Sequence, residues 1–152
     1  MSIENRFKEM GLILPEPPKP VAAYIPGVVC GNLVFVSGQL PSQDGKVVYT
    51  GKIGEDLSIE EGKSAARICL LNGLAIVKSL LGSLDKVSQV VRVNGYIQGA
   101  EGFTEIPQVI NGASELLLEI FGEKGRHSRV AVSVANLPLN AAVEIDFIIS
   151  AE

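Results

Sequence analysis

From Arg129 onward the chain alternates with a period of two residues, and this constrains the fold more than any other stretch. In HSRVAVSVANLPLNAAVEIDFIISA, Val130, Val132 and Val134 share one side of an extended chain, and Arg129, Ala131 and Ser133 share the other. A second run sets Val143, Ile145, Phe147 and Ile149 against Ala142, Glu144, Asp146 and Ser150. The two runs predict an antiparallel pair joined through Asn136-Leu137-Pro138-Leu139-Asn140, where the proline and asparagines suit a turn. Placing Val134 opposite Val143 aligns both apolar faces and sets Arg129 opposite Ile148. Glu144 then lies roughly 13 Å along the sheet at about 3.4 Å per residue, so Arg129 and Glu144 are expected not to touch within one chain. The valine faces are expected to be core. The other face, with an arginine, two carboxylates and small side chains, reads as a shallow floor.

The rest of the chain supplies what must cover that hairpin. Ile3 to Leu12 is a short amphipathic piece, closed by the extended PEPPKP of residues 15–20. VVCGNLVFVSG reads as two strands around a Gly31-Asn32 hairpin turn, and Lys46 to Tyr49 as a third strand after SQDG. Ser58-Ile59-Glu60-Glu61 has the form of a capping box, and Ala65, Ile68, Cys69, Ala75, Ile76 and Leu80 recur at helical spacing until Gly82. Val87 to Gln98 returns to strand composition. Pro107 to Phe121 predicts a second helix, with Ile110, Ala113, Leu117 and Ile120 on one side and Gly122 as its stop. The order β-β-β-α-β-α-β-β predicts an α+β fold, a mixed sheet with two helices on one face. The expected organisation is an N-terminal arm over residues 1–20 and a single domain over 21–152. The second sheet face is left bare.

Composition narrows the function classes. A hydrophobic share of 47% with 20% charged residues is rich for a small monomer of 152 residues, so self-association is expected. A net charge of -4 and the lack of clustered Lys and Arg argue against nucleic acid as a partner. Cys30 and Cys69 lie in apolar runs without C-x-x-C spacing and are expected to be buried free thiols; a single histidine disfavours a zinc site. Gly51-Lys52 and Gly54 lack the spacing of a P-loop. No apolar run approaches the ~18 residues of a membrane span and the N-terminus lacks a secretory core, so a cytoplasmic location is expected.

Four stretches together resemble a known family: AAYIPGVVCGNLVFVSGQLP, GEDLSIEEGKSAARICLLNGLA, LGSLDKV and RHSRVAVSVANLPLNAAVEI. They resemble the reactive-intermediate (imine/enamine) deaminases, the RidA or YjgF-like family, in a branch with a longer N-terminal arm whose members carry the label endoribonuclease L-PSP. The resemblance covers Tyr24 to Ile149. It implies a chorismate-mutase-like fold, a homotrimer with sheets packed inward, and clefts at subunit boundaries for a small carboxylate, a keto or imino acid. By this resemblance Arg129, eight residues before Leu137-Pro138, binds the substrate carboxylate, and Glu144, seven after Leu137, stands near the reacting carbon. Tyr24 matches the cleft aromatic of the first strand, Ser37, Gly38 and Gln39 the S-G-Q of the second, and Asn111 the helix asparagine after a one-residue shift. Ala131 takes the place of the family cysteine, and Ser114 that of the aromatic following the asparagine.

The residue chemistry is compatible with these roles. A guanidinium holds a carboxylate through paired, charge-assisted hydrogen bonds, and small neighbours leave room for a ligand; a surface or intersubunit salt bridge from Arg129 to Glu144 or Asp146 is the competing reading. Glu144 suits a carboxylate that orients or deprotonates water, or a solvated strand residue. Tyr24 either meets a ligand or packs beside Pro26, and Ser37 has no base evident beside it. His127 reads as a rim or turn residue. The function expected is a cofactor-free deaminase-type hydrolase that converts 2-imino or enamine acids to 2-keto acids and ammonia. A non-catalytic metabolite-binding or regulatory trimer is the alternative, and an endoribonuclease or translation inhibitor a third.

Overall fold

Ser58 and Gly82 set the ends of the longest element. The computed structural model describes residues 1–19 and 23–152. Helix α2 runs over Ile59–Leu81, with Ser58 Oγ accepting from the Glu61 amide at 3.1 Å and the Glu61 carboxylate accepting from the Ser58 amide at 3.1 Å. Both halves of the capping box therefore form. Gly82 takes the left-handed conformation, φ 86°, that ends the helix. Helix α3 covers Ile106–Phe121, with Pro107 in its first turn and Ile110, Ala113, Leu117 and Ile120 fully buried, as the spacing predicts. Contrary to the expectation of no span-length apolar run, α2 has the length and hydropathy to cross a bilayer. In the fold its apolar residues, Ala65, Cys69, Leu70 and Leu74 among them, belong to the buried core.

The amphipathic start is a third helix, α1 (Ile3–Met10), capped by Ser2 and ended by Gly11. It docks through buried Phe7, through Arg6 donating to the Glu119 carbonyl at 3.0 Å, and through a Glu4–Lys78 ion pair at 3.3 Å. The boundary expected between residues 20 and 21 lies outside the described residues.

Five strands form the main sheet: β1 (Gly27–Cys30), β2 (Leu33–Gln39), β5 (Val87–Gln98), β6 (Ser128–Val134) and β7 (Val143–Ala151), in the order β1-β2-β7-β5-β6. The turn at Gly31-Asn32 closes β1 on β2 as predicted, with Cys30 paired to Leu33. The expected third strand does not join this sheet. Asp44 and Gly45 both have positive φ, 52° and 80°, the backbone of a tight two-residue turn. The chain therefore folds straight back, β4 (Lys46–Val47) pairing with β3 (Ser42–Gln43) as a separate ribbon.

The largest correction concerns the C-terminal pair. β6 and β7 are not a hairpin: β6 pairs in parallel with β5, and β7 lies between β5 and β2, antiparallel to both. Arg129 is therefore beside Val93, not opposite Ile148. The faces of β6 are also the reverse of the expectation. Arg129, Ala131 and Ser133 are in register with Val93, Gly95 and Ile97, whose side faces the helices. Val130, Val132 and Val134 share the open side with Asn94, Tyr96 and Gln98. A period of two fixes which residues share a face, not which face is inside. On β7 the expectation holds: Val143, Ile145, Phe147 and Ile149 are fully buried, while Glu144 and Asp146 lie on the open side with Phe35, Ile148, Arg92 and Asn94. Of the two cysteines, Cys69 is buried but Cys30 is exposed, because β1 is an edge strand.

Candidate functional site

The residues singled out by the sequence fall into two groups on opposite sides of the sheet. The first is built from α3 and β6. Asn111 and Ser114, three apart, occupy one face of α3 above the sheet edge, and Arg129 extends from β6 to meet them. Its Nη1 donates to Asn111 Oδ1 at 2.8 Å and to Ser114 Oγ at 3.2 Å. His127, two residues before Arg129, stands 2.8 Å from Ser114 Oγ through Nε2 and 2.6 Å from the Gly125 carbonyl through Nδ1. Burial lowers the pKa of His127; the hydrogen bond to the Gly125 carbonyl opposes this in part and the Arg129 guanidinium adds to it, so the balance favours the neutral ring. Ala131 lies two residues past Arg129, partly buried against the core.

Arg129 makes no ion pair among the described residues. Among the described residues its hydrogen bonds all leave from Nη1, and no buried side-chain nitrogen or oxygen lacks a partner. Nε and Nη2 are therefore unpaired in the chain and not fully buried. These two nitrogens carry the parallel N–H pair that takes a carboxylate side-on. Within one chain the competing reading, a salt bridge to Glu144 or Asp146, is not what the structure holds.

The second group surrounds Glu144. Its carboxylate lies against Gly38, where an added Cβ would overlap it. Glu144 is half-buried, and burial, with a further contribution from the nearby Asp146 charge, raises its pKa. Asp146 accepts from Asn94 Nδ2 at 2.7 Å, and Asn94 Oδ1 accepts from Arg92 Nε at 3.0 Å. Tyr96, in register with Glu144, has its phenol pKa raised by desolvation and then by the Asp146 charge. Gly38 also lines a cleft of about 290 Å³ with Pro18, Lys19, Tyr24, Gln39 and Leu139. Tyr24 is 65% exposed there, free to meet a ligand. Ser37 is not brought to the cleft; its hydroxyl is donated to the Ile25 carbonyl at 2.8 Å and ties the entry of β1 to β2. Leu139 is held at the rim in a left-handed conformation, φ 57°. Buried Gln98 clamps that turn, accepting from the Leu137 amide at 2.9 Å and donating to Asn140 Oδ1 at 2.7 Å.

The two groups do not meet within one chain. Through β5, Arg129 is beside Val93 and Glu144 beside Tyr96, so they differ by three residues along the strands and by two strands across. At about 3.3 Å per residue and about 4.8 Å per strand this is roughly 14 Å between Cα atoms, and the side chains leave opposite faces. Sequence reasoning missed Ser114 and His127 as partners of Arg129. The signal was available: Asn111 and Ser114 share a helix face, and His127 and Arg129 share a strand face. Asp146 shares a strand face with Glu144 in the alternation, whereas Tyr96, Lys19 and Leu139 carried no comparable pattern, because only the tertiary fold sets them beside Glu144 or Tyr24.

A mixed sheet with two long helices on one face and its other face open is the chorismate-mutase-like α+β class. The chain belongs to the family described as "YjgF/chorismate_mutase-like, putative endoribonuclease", which matches residues 4–150. It is 43% identical over 148 residues to Protein TCP17 of Trypanosoma cruzi, covering 97% of this chain and 92% of that one. It is 32% identical over 138 residues to a 2-iminobutanoate/2-iminopropanoate deaminase of Dermatophagoides farinae, covering 91% and 93%. Among solved structures it resembles the protein Atu1372 of Agrobacterium tumefaciens, with a TM-score of 0.92 and 45% identity over 99% of this chain and 94% of that one.

Proposed function

We propose that the protein binds small carboxylates in a cleft shared between neighbouring copies of a homotrimer and hydrolyses 2-imino or enamine acids to 2-keto acids and ammonia. The observation that carries this reading is Arg129, pinned by Nη1 with its Nε–Nη2 edge unpaired and not fully buried. Two further facts support it. Exposed apolar side chains, Val28, Phe35 and Val132, stand on the open sheet face and suit burial between copies. Arg129 and Glu144 lie too far apart in one chain to act on one small molecule, so a shared site needs the arginine of one copy and the glutamate of the next.

In such a cleft the substrate carboxylate lies on Arg129, and Glu144 takes a proton from water as its oxygen bonds to the imine carbon. The C=N π electrons move to nitrogen, which takes up a proton; the carbinolamine then loses its hydroxyl proton as the amino group gains one, the C–N bond breaks, and ammonia departs to leave the keto acid. The imine carbon is electrophilic as it stands, and an enamine acid reaches it by gaining a proton at its methylene carbon and losing one from nitrogen, so the steps call on water and proton transfer alone. The raised pKa of Glu144 brings its proton affinity nearer to that of the groups it serves. Ammonia release from enzymatically generated 2-aminoacrylate tests the reading. Release above the spontaneous rate, lost in Arg129→Ala and Glu144→Gln, is the expected result; release at the spontaneous rate overturns the deaminase. Ala131 at the family cysteine position favours the second reading, a trimer that binds keto acids without turnover. Calorimetric pyruvate binding without ammonia release is its signature.

A further inference from the structure

We infer that Ser114 and His127 are positioning residues, a hydrogen-bond relay that commits Nη1 of Arg129 and leaves one edge of the guanidinium for a planar carboxylate taken side-on. The inference rests on the carboxylate-binding reading above and adds to it how this chain orients the ligand.

The donors and acceptors leave one consistent assignment. A carbonyl only accepts, so the 2.6 Å contact between His127 Nδ1 and Gly125 O puts the ring proton on Nδ1. A neutral imidazole has one N–H. Nε2 is then an acceptor, and its 2.8 Å contact takes the hydroxyl proton of Ser114. Ser114 has no second proton, so its oxygen faces Arg129 with lone pairs and accepts from Nη1 at 3.2 Å. The other Nη1 proton goes to Asn111 Oδ1 at 2.8 Å. Both Nη1 protons are spent. Nε–H and both Nη2–H remain; Nε–H and the Nη2–H parallel to it form a single two-pronged donor whose plane is set by Asn111 and Ser114, while the last Nη2–H lies beside the committed Nη1. Burial keeps His127 neutral, which preserves the direction of the relay.

The consequence for chemistry is orientation. A carboxylate held on one fixed edge has its plane fixed, and with it the direction from which the adjoining carbon meets an attacking water. Without the relay the guanidinium can turn about its own bonds and offer its other edge. Carboxylate affinity then falls, and turnover falls further, because misaligned complexes are bound but unproductive.

The chain has one histidine, so the ring nitrogens of ¹⁵N-labelled protein give one unambiguous pair of signals. At neutral pH the expected result is a protonated Nδ1 and an unprotonated Nε2, with the two Nη signals of Arg129 resolved by slow rotation. Ser114→Ala and His127→Phe should collapse the Nη signals. Ser114→Thr, which keeps the hydroxyl, and His127→Gln, which places an acceptor where Nε2 stood, should restore them. Pyruvate affinity should fall about tenfold in Ser114→Ala, as for loss of a hydrogen bond to a charged group, and kcat for 2-aminoacrylate hydrolysis should fall more than that. A proton found on Nε2, or Nη signals in Ser114→Ala matching the wild type, overturns the relay. Pyruvate binding that is lost in Arg129→Ala but unchanged in Ser114→Ala overturns the relay's part in ligand binding. Failure of the wild type to bind pyruvate at all instead overturns the carboxylate reading, and the tautomer still decides the relay.

Discussion

Replacing Gly112 by alanine tests whether the packing of α3 and the setting of the arginine are one mechanical unit. Gly112 sits between Asn111 and Ser114 in sequence, on the side of α3 that meets α2. An added Cβ would lie 2.5 Å from the Lys63 carbonyl oxygen, 2.8 Å from its Cα and 3.0 Å from its carbonyl carbon. All three are backbone atoms in a helix whose hydrogen bonds are intact, so none can rotate away. Restoring ordinary contact at about 3.4 Å means moving the helices apart by roughly 0.9 Å, a gap that forfeits a quarter to a half of each dispersion contact across it. Overpacking of this kind costs about 1–3 kcal/mol, and alanine returns about 1 kcal/mol of helix propensity, so a net loss near 2 kcal/mol is expected at the upper end. Gly62 is the comparison. There an added Cβ meets side-chain ends, Ile53 Cδ1 at 2.9 Å and Val109 Cγ1 at 3.0 Å, which can shift. Denaturant titration should rank Gly112→Ala well below Gly62→Ala. Pyruvate binding should weaken in the former, as Asn111 and Ser114 ride on the displaced helix. Equal stability of the two variants, or a Gly112→Ala protein with unchanged stability, would refute the reasoning.

Arg129→Lys keeps the charge but not the two-pronged edge, so pyruvate affinity measured by calorimetry should fall by about 1–3 kcal/mol with little change in melting temperature. Gly38→Ala pushes a methyl group into the Glu144 carboxylate, and ammonia release should drop while pyruvate binding at Arg129 persists. Because the folded-state pKa of Glu144 is raised, its ionisation opposes folding, and that cost appears as pH rises through the folded pKa. Glu144→Gln should therefore be more stable than the wild type at neutral pH, and the gap should close below the ordinary glutamate range in melts across pH 3 to 8. Phe7→Ala removes a buried ring from the docked α1 and should cost about 3 kcal/mol, seen as a lowered denaturation midpoint.

The elements the sequence specifies well are those fixed by neighbours in the chain. Ser58, Glu61 and Gly82 bound α2 through contacts spanning a few residues, and Gly31-Asn32 closes its hairpin by local backbone geometry. What the sequence under-specifies is pairing across long separations. The connection of residues 135–142 suits a hairpin, yet β7 lies between β2 and β5 because α3 carries the chain over to form β6 on the far side of β5. The alternation on β6 was legible in period and not in sense, since apolar residues favour the interior without being confined to it. Three valines in a row on one side suggested core. They lie instead on the open face, while Ala131 and Ser133 leave space beneath α3 for the arginine chain to reach Asn111 and Ser114. The two facts are coupled. An arginine on β6 that reaches Asn111 and Ser114 of α3 is suited by small neighbours on its own face, which leaves the large residues of β6 on the other. That face carries the exposed Val132 on the open side of the sheet, so the alternation sets the arginine on one side and an uncovered apolar residue on the other.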